Sequence, residues 1–405
     1  MPDARSPPEF RCLNSHPAEL AEESQRTYIK RIMNPGKHIH ITRLACGWLS
    51  PGGRGILFLL SLIVGGCASG TRLYIDGRPD APLRMNASDH GVVLRHGSGP
   101  DSCDALGARD AWVFDAGDRF VMHYDGAGPA GWLAVRAQSK DLLRWTIDGP
   151  VLTLGSEGSD DARSASYGVT TFDGKEWHMF YLGARNASPA PDYVPAFPYV
   201  TMKARAHSPL GPWQKQLDVV PFRPQPGTYY SGTASPGQTV FHNGEYLQFF
   251  SASVDAAPVK RTLGIARTPH LDSAWVIDAS PILPLDEQIE NSSLYFEESS
   301  KLWFLFTNHV GWYEGTEEYT DAIWVYWSRD LTQWNPAHKA VVLDRKNCTW
   351  SKRVIGLPSV VRFGRRLALF YDGVEGEGTS HMSRDIGLAW LRLPLVVPVG
   401  SSSDE

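Results

Sequence analysis

The sequence is short of several features that identify common protein classes. Its 405 residues include 5 Cys, and no Cys-x-x-Cys pair or His cluster has the spacing of a zinc site. Its 39 basic and 44 acidic residues leave a net charge of -5, so no basic surface indicates nucleic-acid binding. The apolar run at 55–66 is shorter than the ~20 residues with which a helix crosses a bilayer. These absences argue against zinc-ribbon, nucleic-acid-binding and membrane-spanning classes.

Aromatic residues, in contrast, are abundant. The chain has 14 Trp, 15 Tyr and 16 Phe together with 38 Gly, and 20% of its residues are charged. So many aromatic side chains indicate a chain that buries a core, which excludes an intrinsically disordered protein. The combination favours an all-β fold, of a kind that often handles sugars.

The N-terminal segment has the pattern of a secretory leader. Arg43 and Arg54 precede the apolar run at 55–66, and small residues follow it, which is the order found in a signal peptide. The run ends in Val64-Gly65-Gly66-Cys67, similar to the bacterial lipobox, in which the cysteine is diacylated and becomes the mature N-terminus. A buried core strand is the alternative, but no turn residues follow the run.

We therefore expect a leader at 1–66 and a single domain at 67–405. Met33 is an alternative start that gives a signal of ordinary length, in which case residues 1–32 are an artefact. We expect export to the bacterial periplasm or cell surface, with a lipid on Cys67 as the only attachment to the membrane. The exported protein is expected to be a monomer.

Two motifs repeat along the rest of the chain at a spacing of about sixty residues. The first is an aromatic-rich strand after a tight turn, found at 119–125, 176–182, 245–251, 301–307 and 366–372. The second is a turn that ends in tryptophan, found at Trp145, Trp213, Trp275 and Trp334. With the strands between them, each repeat holds about four strands, the content of one propeller blade.

Five repeats in one order predict a five-bladed β-propeller with four-stranded blades. Residues around 72–95 are expected to supply the strand that closes the ring. A two-sheet sandwich also gives evenly spaced strands, but it does not explain a motif that repeats five times in the same order.

Two acidic positions at the starts of blades give the chain a resemblance to a known clan. Blade 1 opens with Arg109-Asp110-Ala-Trp-Val-Phe, and blade 4 opens with Ile289-Glu290-Asn-Ser-Ser-Leu-Tyr. The chain resembles the five-bladed propeller glycosidases, the arabinanase-like group that includes glycoside hydrolase family 43. That resemblance implies that Asp110 is the general base and Glu290 the general acid, both facing one axial cleft.

The chain also departs from the family 43 pattern, which indicates a sister family. Gly237, followed by Gln238, stands where the family has an Asp in blade 3 that tunes the pKa of the acid. Blade 5 opens with Gly356-Leu-Pro-Ser and lacks the His that often approaches an axial metal in such propellers. We therefore expect no cofactor, and the blade 5 sequence does not support an axial calcium.

Glycoside hydrolysis requires a pair of carboxyl groups, and Asp110 and Glu290 are candidates for this pair. One protonates the leaving oxygen and the other activates water, at a separation of ~6.5–9.5 Å in an inverting enzyme. Glu290 is expected against an apolar wall of Leu294, Tyr295 and Trp112, which would raise its pKa, and Arg109 is expected to keep Asp110 ionised. The alternatives are a turn carboxylate at Asp110 and a partner for a nearby Arg at Glu290.

Other residues at the expected cleft are of the types that bind sugar hydroxyls and sugar faces. These candidate substrate-binding residues are Arg109, Trp112, Tyr167, Gln238, Asn291, His381 and Arg384. His381 is also a candidate for the missing third catalytic group, because histidine titrates near neutrality. Asp160 and Asp161 lie in a Gly/Ser loop and are expected to be solvent-exposed.

Two cysteines remain in the expected exported domain. Cys103 and Cys348 precede the first strands of blades 1 and 5, which are neighbours once the ring closes. An even pair in an exported protein predicts a disulfide, here one that holds the seam of the ring.

The function expected from these patterns is an exported, membrane-tethered glycoside hydrolase with an inverting acid/base mechanism. Its partner is carbohydrate, not nucleic acid. Two alternatives stay open. One is a carbohydrate-binding propeller that has lost catalysis, and the other is a glycoside phosphorylase that holds phosphate with Arg109, Arg384 and His381. Export argues against the phosphorylase, because free phosphate is a cytoplasmic co-substrate.

Overall fold

The computed structural model describes residues 79–257, 259–313 and 317–399. All of them belong to a compact unit that spans Arg72–Glu405. The leader, the signal-like run and Cys67 lie outside the described residues. Within the described ranges no helix is long and apolar enough to cross a membrane.

The described residues form an almost entirely β structure, which confirms the predicted all-β class. Strands β1 to β6 are Leu83–Arg84, Ser88–Leu94, Gly107–Asp115, Phe120–Gly128, Gly131–Ser139 and Thr146–Pro150. Strands β7 to β12 are Ser164–Phe172, Trp177–Ala187, Pro195–Ala206, Gln214–Lys215, Thr233–Ser235 and Thr239–His242. Strands β13 to β18 are Glu245–Ser253, Arg261–Thr268, Val276–Ile277, Ile289–Glu297, Leu302–Tyr313 and Glu317–Ser328. Strands β19 to β22 are Lys339–Asp344, Ser351–Phe363, Arg366–Glu375 and Asp385–Arg392. Two 3-10 turns, Pro100–Ser102 and Leu285–Glu287, are the only helical segments in this part of the chain.

The strands pair into five antiparallel groups that follow one another along the chain. The groups are β3-β4-β5-β6, β7-β8-β9-β10, β11/β12-β13-β14-β15, β16-β17-β18-β19 and β20-β21-β22-β2, and the short strand β1 adds a parallel pairing to β19 at the edge of the fourth group. Short parallel pairings between β5 and β7 and between β9 and β11 join the first three groups into one sheet. Strand β2 pairs with β22, so residues just before the first repeat complete the last group, as the sequence predicted.

Hydrophobic side chains fill the space between successive groups. A separate hydrophobic cluster lies between each two neighbouring groups. One pair of residues from each of the five clusters is Val121 and Leu182, Phe180 and Phe250, Phe249 and Leu305, Phe306 and Leu369, and Met122 and Phe370. The last pair joins the fifth group to the first. Burial of apolar surface stabilises a fold by about 25 cal/mol per Å² and is the main contribution to its stability. In this protein most of the large buried side chains lie between neighbouring strand groups.

The first strand of each group is interrupted by a β-bulge close to its start. The bulged residues Asp110, Tyr167, Asn291 and Leu357 have φ of 53°, 46°, 59° and 57°, and the register shifts by one residue at each of them. In the third group the break lies between β11 and β12. A bulge changes the direction in which a side chain points. The bulged side chains therefore lie at the same end of their groups, in directions that a regular strand would not give them.

The predicted disulfide is wrong: Cys103 and Cys348 are both buried free thiols. Cys103 packs in the cluster that joins the fifth group to the first. Cys348 packs in the cluster that joins the fourth group to the fifth, where its Sγ lies 3.5 Å from Tyr371 Oη. The fifth group therefore separates the two sulfurs, although their positions relative to the repeats are similar.

Candidate active site

Asp110 lies in the first bulge, at the end of the strand groups where β3, β7, β16 and β20 begin. Its Oδ1 accepts a hydrogen bond from Arg109 Nε at 2.8 Å, and 10% of its side chain is exposed. The positive φ of this residue turns its side chain out of the regular alternation of β3. The structure thus gives Asp110 the cation that the sequence predicted beside it.

Asp125 is a second carboxyl at this position and was missed from the sequence. It lies on β4 opposite Arg109, is buried and accepts the backbone N–H of Tyr167. Burial raises its pKa well above the usual value, and the charge of the neighbouring Asp110 adds to the effect. Both causes favour the neutral form of the Asp125 carboxyl.

Asp372 brings a third carboxyl to the same end from β21. It is buried, and its Oδ2 accepts a hydrogen bond from Arg384 at 3.1 Å and lies 3.8 Å from Arg109 Nε. Burial raises its pKa, while Arg384 and Arg109 oppose that shift. The sequence held a signal for both missed residues, because the repeats at 119–125 and 366–372 end in Tyr-Asp.

Glu290 comes from the fourth group and is paired with an arginine instead of an apolar wall. Its Oε1 accepts a hydrogen bond from Arg261 at 2.8 Å, and 18% of its side chain is exposed. The Arg261 guanidinium also lies over the ring of Phe197, 5.3 Å from its centroid. The alternative that the sequence left open, a partner for a nearby Arg, is the contact observed.

Tyr167 packs between the first and second groups. It occupies the bulge of β7 and is 4% exposed. Its pKa is raised well above the usual value by burial and by the negative charges of Asp110, Asp125 and Glu290. One phenol therefore experiences the charges of both carboxyls that the sequence assigned to catalysis.

His381 lies beside Arg109 in the loop before β22. Its Nδ1 accepts a hydrogen bond from Arg109 Nη1 at 2.9 Å, which leaves the ring proton on Nε2. The residue is exposed, and its pKa is lowered well below the usual value by desolvation and by the positive charges of Arg384, Arg109 and Arg261. His381 is therefore a neutral imidazole with a free donor.

Three predicted substrate-binding residues have structural roles. Trp112 is buried between the first two groups, and its indole N–H donates to Thr170 Oγ1 at 3.1 Å. Gln238 Oε1 accepts the backbone N–H of Leu294 at 2.5 Å. Asn291 donates to Asn308 Oδ1 at 3.1 Å and is buried. The contacts of Trp112 and Gln238 therefore join neighbouring groups, and the contact of Asn291 joins β16 to β17 within the fourth group.

The loop carboxyls Asp160 and Asp161 differ from their predicted exposure. Asp161 is fully buried, accepts a hydrogen bond from Tyr181 Oη at 2.9 Å and is paired with Lys215 at 2.5 Å. Its pKa is lowered, because the hydrogen bond and charge of Lys215 outweigh desolvation. Asp160 is 11% exposed and is held by Arg185 and Arg223. The loop is thus fixed by ion pairs.

Arginines lie beside the carboxyls of this cluster. Arg109 is paired with Asp110, and Arg384 is paired with Asp372, so two guanidinium groups meet the negative charge of these carboxyls. Among the described residues, no three His, Cys, Asp or Glu side chains lie where they could share a metal ion.

Gly237 explains why the blade 3 acid of the family pattern is absent. A Cβ at this position would lie 1.7 Å from the carbonyl oxygen of Phe249 and 2.7 Å from Ser292 Oγ. The backbone of β13 occupies the space that an Asp side chain would need. The departure that the sequence showed is thus a requirement of packing.

Solved structures of several glycoside hydrolases have the same fold. A family 117 glycoside hydrolase of the marine bacterium Zobellia galactanivorans matches 76% of this chain and 91% of its own, with a TM-score of 0.55 at 11% identity. The catalytic domain of a Coprinopsis cinerea GH62 α-L-arabinofuranosidase matches 76% of this chain and 97% of its own, with a TM-score of 0.54 at 13% identity. A thermostable family-43 glycoside hydrolase matches 76% and 99%, with a TM-score of 0.51 at 12% identity.

The sequence itself matches no protein-family model and no curated protein. The resemblance to the five-bladed propeller glycosidase clan is therefore confirmed at the level of the fold, and the low identities fit a sister family.

Proposed function

We propose that the chain is a glycoside hydrolase that cleaves oligo- or polysaccharides at the strand ends around Asp110. The observation that carries the proposal is that Asp110 and Glu290 lie at the bulges of β3 and β16, at corresponding ends of the first and fourth groups. Glycoside hydrolysis uses two carboxyl groups that flank one bond. In this proposal the five strand groups are the five four-stranded blades of a propeller, and the fold of the neighbouring hydrolases supports it.

Asp110 is the general base in this proposal. Arg109 binds one of its oxygens, and the neighbouring Asp125, whose pKa is raised by burial, carries in this proposal a proton that it donates to Asp110. A base must keep a lone pair directed at the attacking water. Asp125 and Arg109 occupy two positions around the carboxylate, and its exposed edge is left for water.

Glu290 is the general acid, and the mechanism is inverting. In the free protein its carboxylate is bound to Arg261. The acid role therefore depends on the saccharide separating the two side chains, so that Glu290 takes up a proton in a site from which water is excluded. The leaving oxygen then receives that proton as Asp110 activates the water.

Neutral His381 and the buried arginines orient the sugar. The Nε2–H of His381 is a donor for a hydroxyl or ring oxygen, and Arg109 fixes the ring that carries it. Arg384 holds Asp372 in place. A donor whose geometry is fixed before binding loses less entropy when the ligand arrives.

The two alternative functions are less well supported. A phosphorylase needs arginines available to phosphate, whereas Arg109 and Arg384 are already bound to Asp110 and Asp372. A binding module has no need of a protonated carboxyl next to an ionised one. Export, a lipid on Cys67 and a monomeric state remain part of the proposal and rest on the sequence alone.

A screen of aryl glycosides and natural oligosaccharides tests the proposal. We expect turnover of at least one glycoside, with the inverted anomer appearing first by NMR. Glu290→Gln should lose about 10²–10⁴-fold on substrates with poor leaving groups and much less on nitrophenyl glycosides, while the exposed control Glu298→Gln keeps full activity. Equal loss of both substrate classes in Glu290→Gln would contradict the acid assignment, and the absence of any turnover would leave the binding module.

A further inference from the structure

A cavity lies at the second strand group, beside the chain that leads from it to the third group. Its volume is about 250 Å³, and its lining residues are Asp160, Arg185, Pro198, Val200, Arg223 and Pro224. Asp160 precedes β7, Arg185 lies near the end of β8, and Pro198 lies near the start of β9. These positions belong to the same strand ends as the bulged Tyr167.

The cavity carries more positive than negative charge. Arg185 and Arg223 both bind the single carboxylate of Asp160, the latter at 2.5 Å. Their side chains are 51% and 48% exposed, whereas that of Asp160 is 11% exposed. Two guanidinium groups carry ten N–H donors, and one carboxylate accepts about four hydrogen bonds. Donors are therefore available for a further anion, and Asp160 holds both guanidinium groups in place.

The remaining wall of the cavity is apolar. Pro198, Val200 and Pro224 present aliphatic surface, of the kind that packs against the C–H face of a pyranose ring. Phe197, next to Pro198, lies under the guanidinium of Arg261, which in turn binds Glu290. A continuous set of contacts therefore connects this cavity to the candidate acid.

We propose that this cavity is an accessory saccharide subsite that binds the anionic substituent, a carboxylate or a sulfate ester, of a sugar unit adjacent to the cleaved bond. The proposal rests on the function proposed above. It assigns acidic polysaccharides as the substrate class. Arg185 and Arg223 bind the anion by charge-assisted hydrogen bonds, and the proline face binds the ring.

Calorimetric titration of the full chain with three oligosaccharide types tests the subsite. The probes are uronate-containing oligosaccharides, the same oligosaccharides after reduction of their carboxyl groups to alcohols, and sulfated oligosaccharides of similar length. Asp110→Asn is the background, so that hydrolysis does not consume the ligand. We expect at least one acidic probe to bind about 10-fold more tightly than its neutral counterpart, with an advantage that falls as salt rises.

Variants of Arg185 and Arg223 test whether these two side chains cause the tighter binding of the acidic probe. Arg185→Gln and Arg223→Gln should each remove most of it. The control Arg163→Gln, whose side chain is 47% exposed and paired with Glu157 outside the cavity, should keep it. Because loss of an ion pair could unfold the loop, the melting temperature of each variant is compared with that of the background, and Arg185→Lys should retain part of the preference.

The outcomes separate this proposal from the previous one. Equal binding of acidic and reduced probes, a preference that survives both arginine variants, or no binding of any acidic probe would overturn the subsite. Preferential binding of a uronate or of a sulfated probe identifies the anion. Binding without turnover of the same oligosaccharide by the unmodified chain would leave the subsite standing and contradict the hydrolase.

Discussion

Asp110 and Asp125 form a pair in which one carboxyl controls the other. Asp125 is buried, accepts the N–H of Tyr167, and has a pKa raised by burial and by the neighbouring Asp110. A protonated Asp125 donates to Asp110, whereas an ionised Asp125 would repel it at close range in a medium of low dielectric. The proton on Asp125 is thus a condition for the geometry of the proposed base.

Asparagine is the test of that proton, because it reproduces a protonated aspartic acid. Asp125→Asn can donate to Asp110 and accept from Tyr167, so we expect activity within about 10-fold of the unmodified protein, whereas Asp125→Ala should lose about 10²-fold or more. The raised pKa of Asp125 means that its proton is lost as pH rises, so the alkaline decline of activity should weaken in Asp125→Asn. Full initial-rate pH profiles measure this. A loss in Asp125→Asn as large as in Asp125→Ala would contradict the protonated state.

The individual residues of the site were only partly predictable. Asp110 and Glu290 stood out because each opens a repeat, and the structure places both at one strand end. Asp125 and Asp372 close their repeats, and a sequence does not show that an antiparallel partner returns to the same end. Trp112 was misassigned because the bulge at Asp110 changes which face each following residue takes.

The bulges near the strand starts position the residues of the site. In the third group, the break between β11 and β12 depends on a glycine, Gly237. Gly237 has no room for a side chain, since its Cβ would meet the Phe249 carbonyl. We expect Gly237→Ala to lower the free energy of unfolding by about 3 kcal/mol or more, because the backbone of β13 must shift. The control Gly174→Ala has open space and a φ of +94°, and should cost about 1 kcal/mol.

Urea denaturation of both variants gives the comparison directly. Similar small losses for Gly237 and Gly174 would show that the bulge between β11 and β12 adapts. The turns and aromatic strands of the repeat predicted five strand groups. They did not predict the bulges, because a one-residue register shift leaves no signature in a single sequence.

Buried histidine links the stability of the whole molecule to pH. His123 is fully buried between the first two groups, donates from Nδ1 to the Gly168 carbonyl at 3.2 Å, and has no partner for Nε2 among the described residues. Burial lowers its pKa to about 3. Between about pH 6.5 and pH 3 the unfolded chain therefore binds a proton that the folded chain does not, and stability falls as pH falls.

That linkage predicts a loss of about 2 kcal/mol from His123 alone between about pH 7.5 and pH 5. His123→Asn retains a donor toward Gly168 and cannot be protonated, so its unfolding free energy should start lower and fall less over this range. Denaturant melts of both proteins at the two pH values measure the difference. Parallel pH dependence in the two proteins would show that His123 is not responsible.

The architecture of the whole molecule was more predictable than its cross-links. Repeats such as 119–125 and 366–372 predicted strand groups that share one strand order, and the all-β class followed from these repeats. The disulfide failed because Cys103 and Cys348 occupy the same place relative to their repeats but opposite faces of the fifth group. Sequence position gives order around the molecule, whereas the face of a sheet depends on pairing and register.

Loss of activity on removal of one carboxylate is the most direct test of the account. Asp110→Asn keeps the size of the side chain and removes the charge that activates water, and Asp115→Asn makes the same change at the exposed end of the same strand. On a glycoside that the unmodified chain hydrolyses, we predict that Asp110→Asn loses about 10²–10⁴-fold in kcat and that Asp115→Asn is unaffected. Activity in Asp110→Asn close to that of Asp115→Asn would contradict the assignment of the base and with it the proposed site.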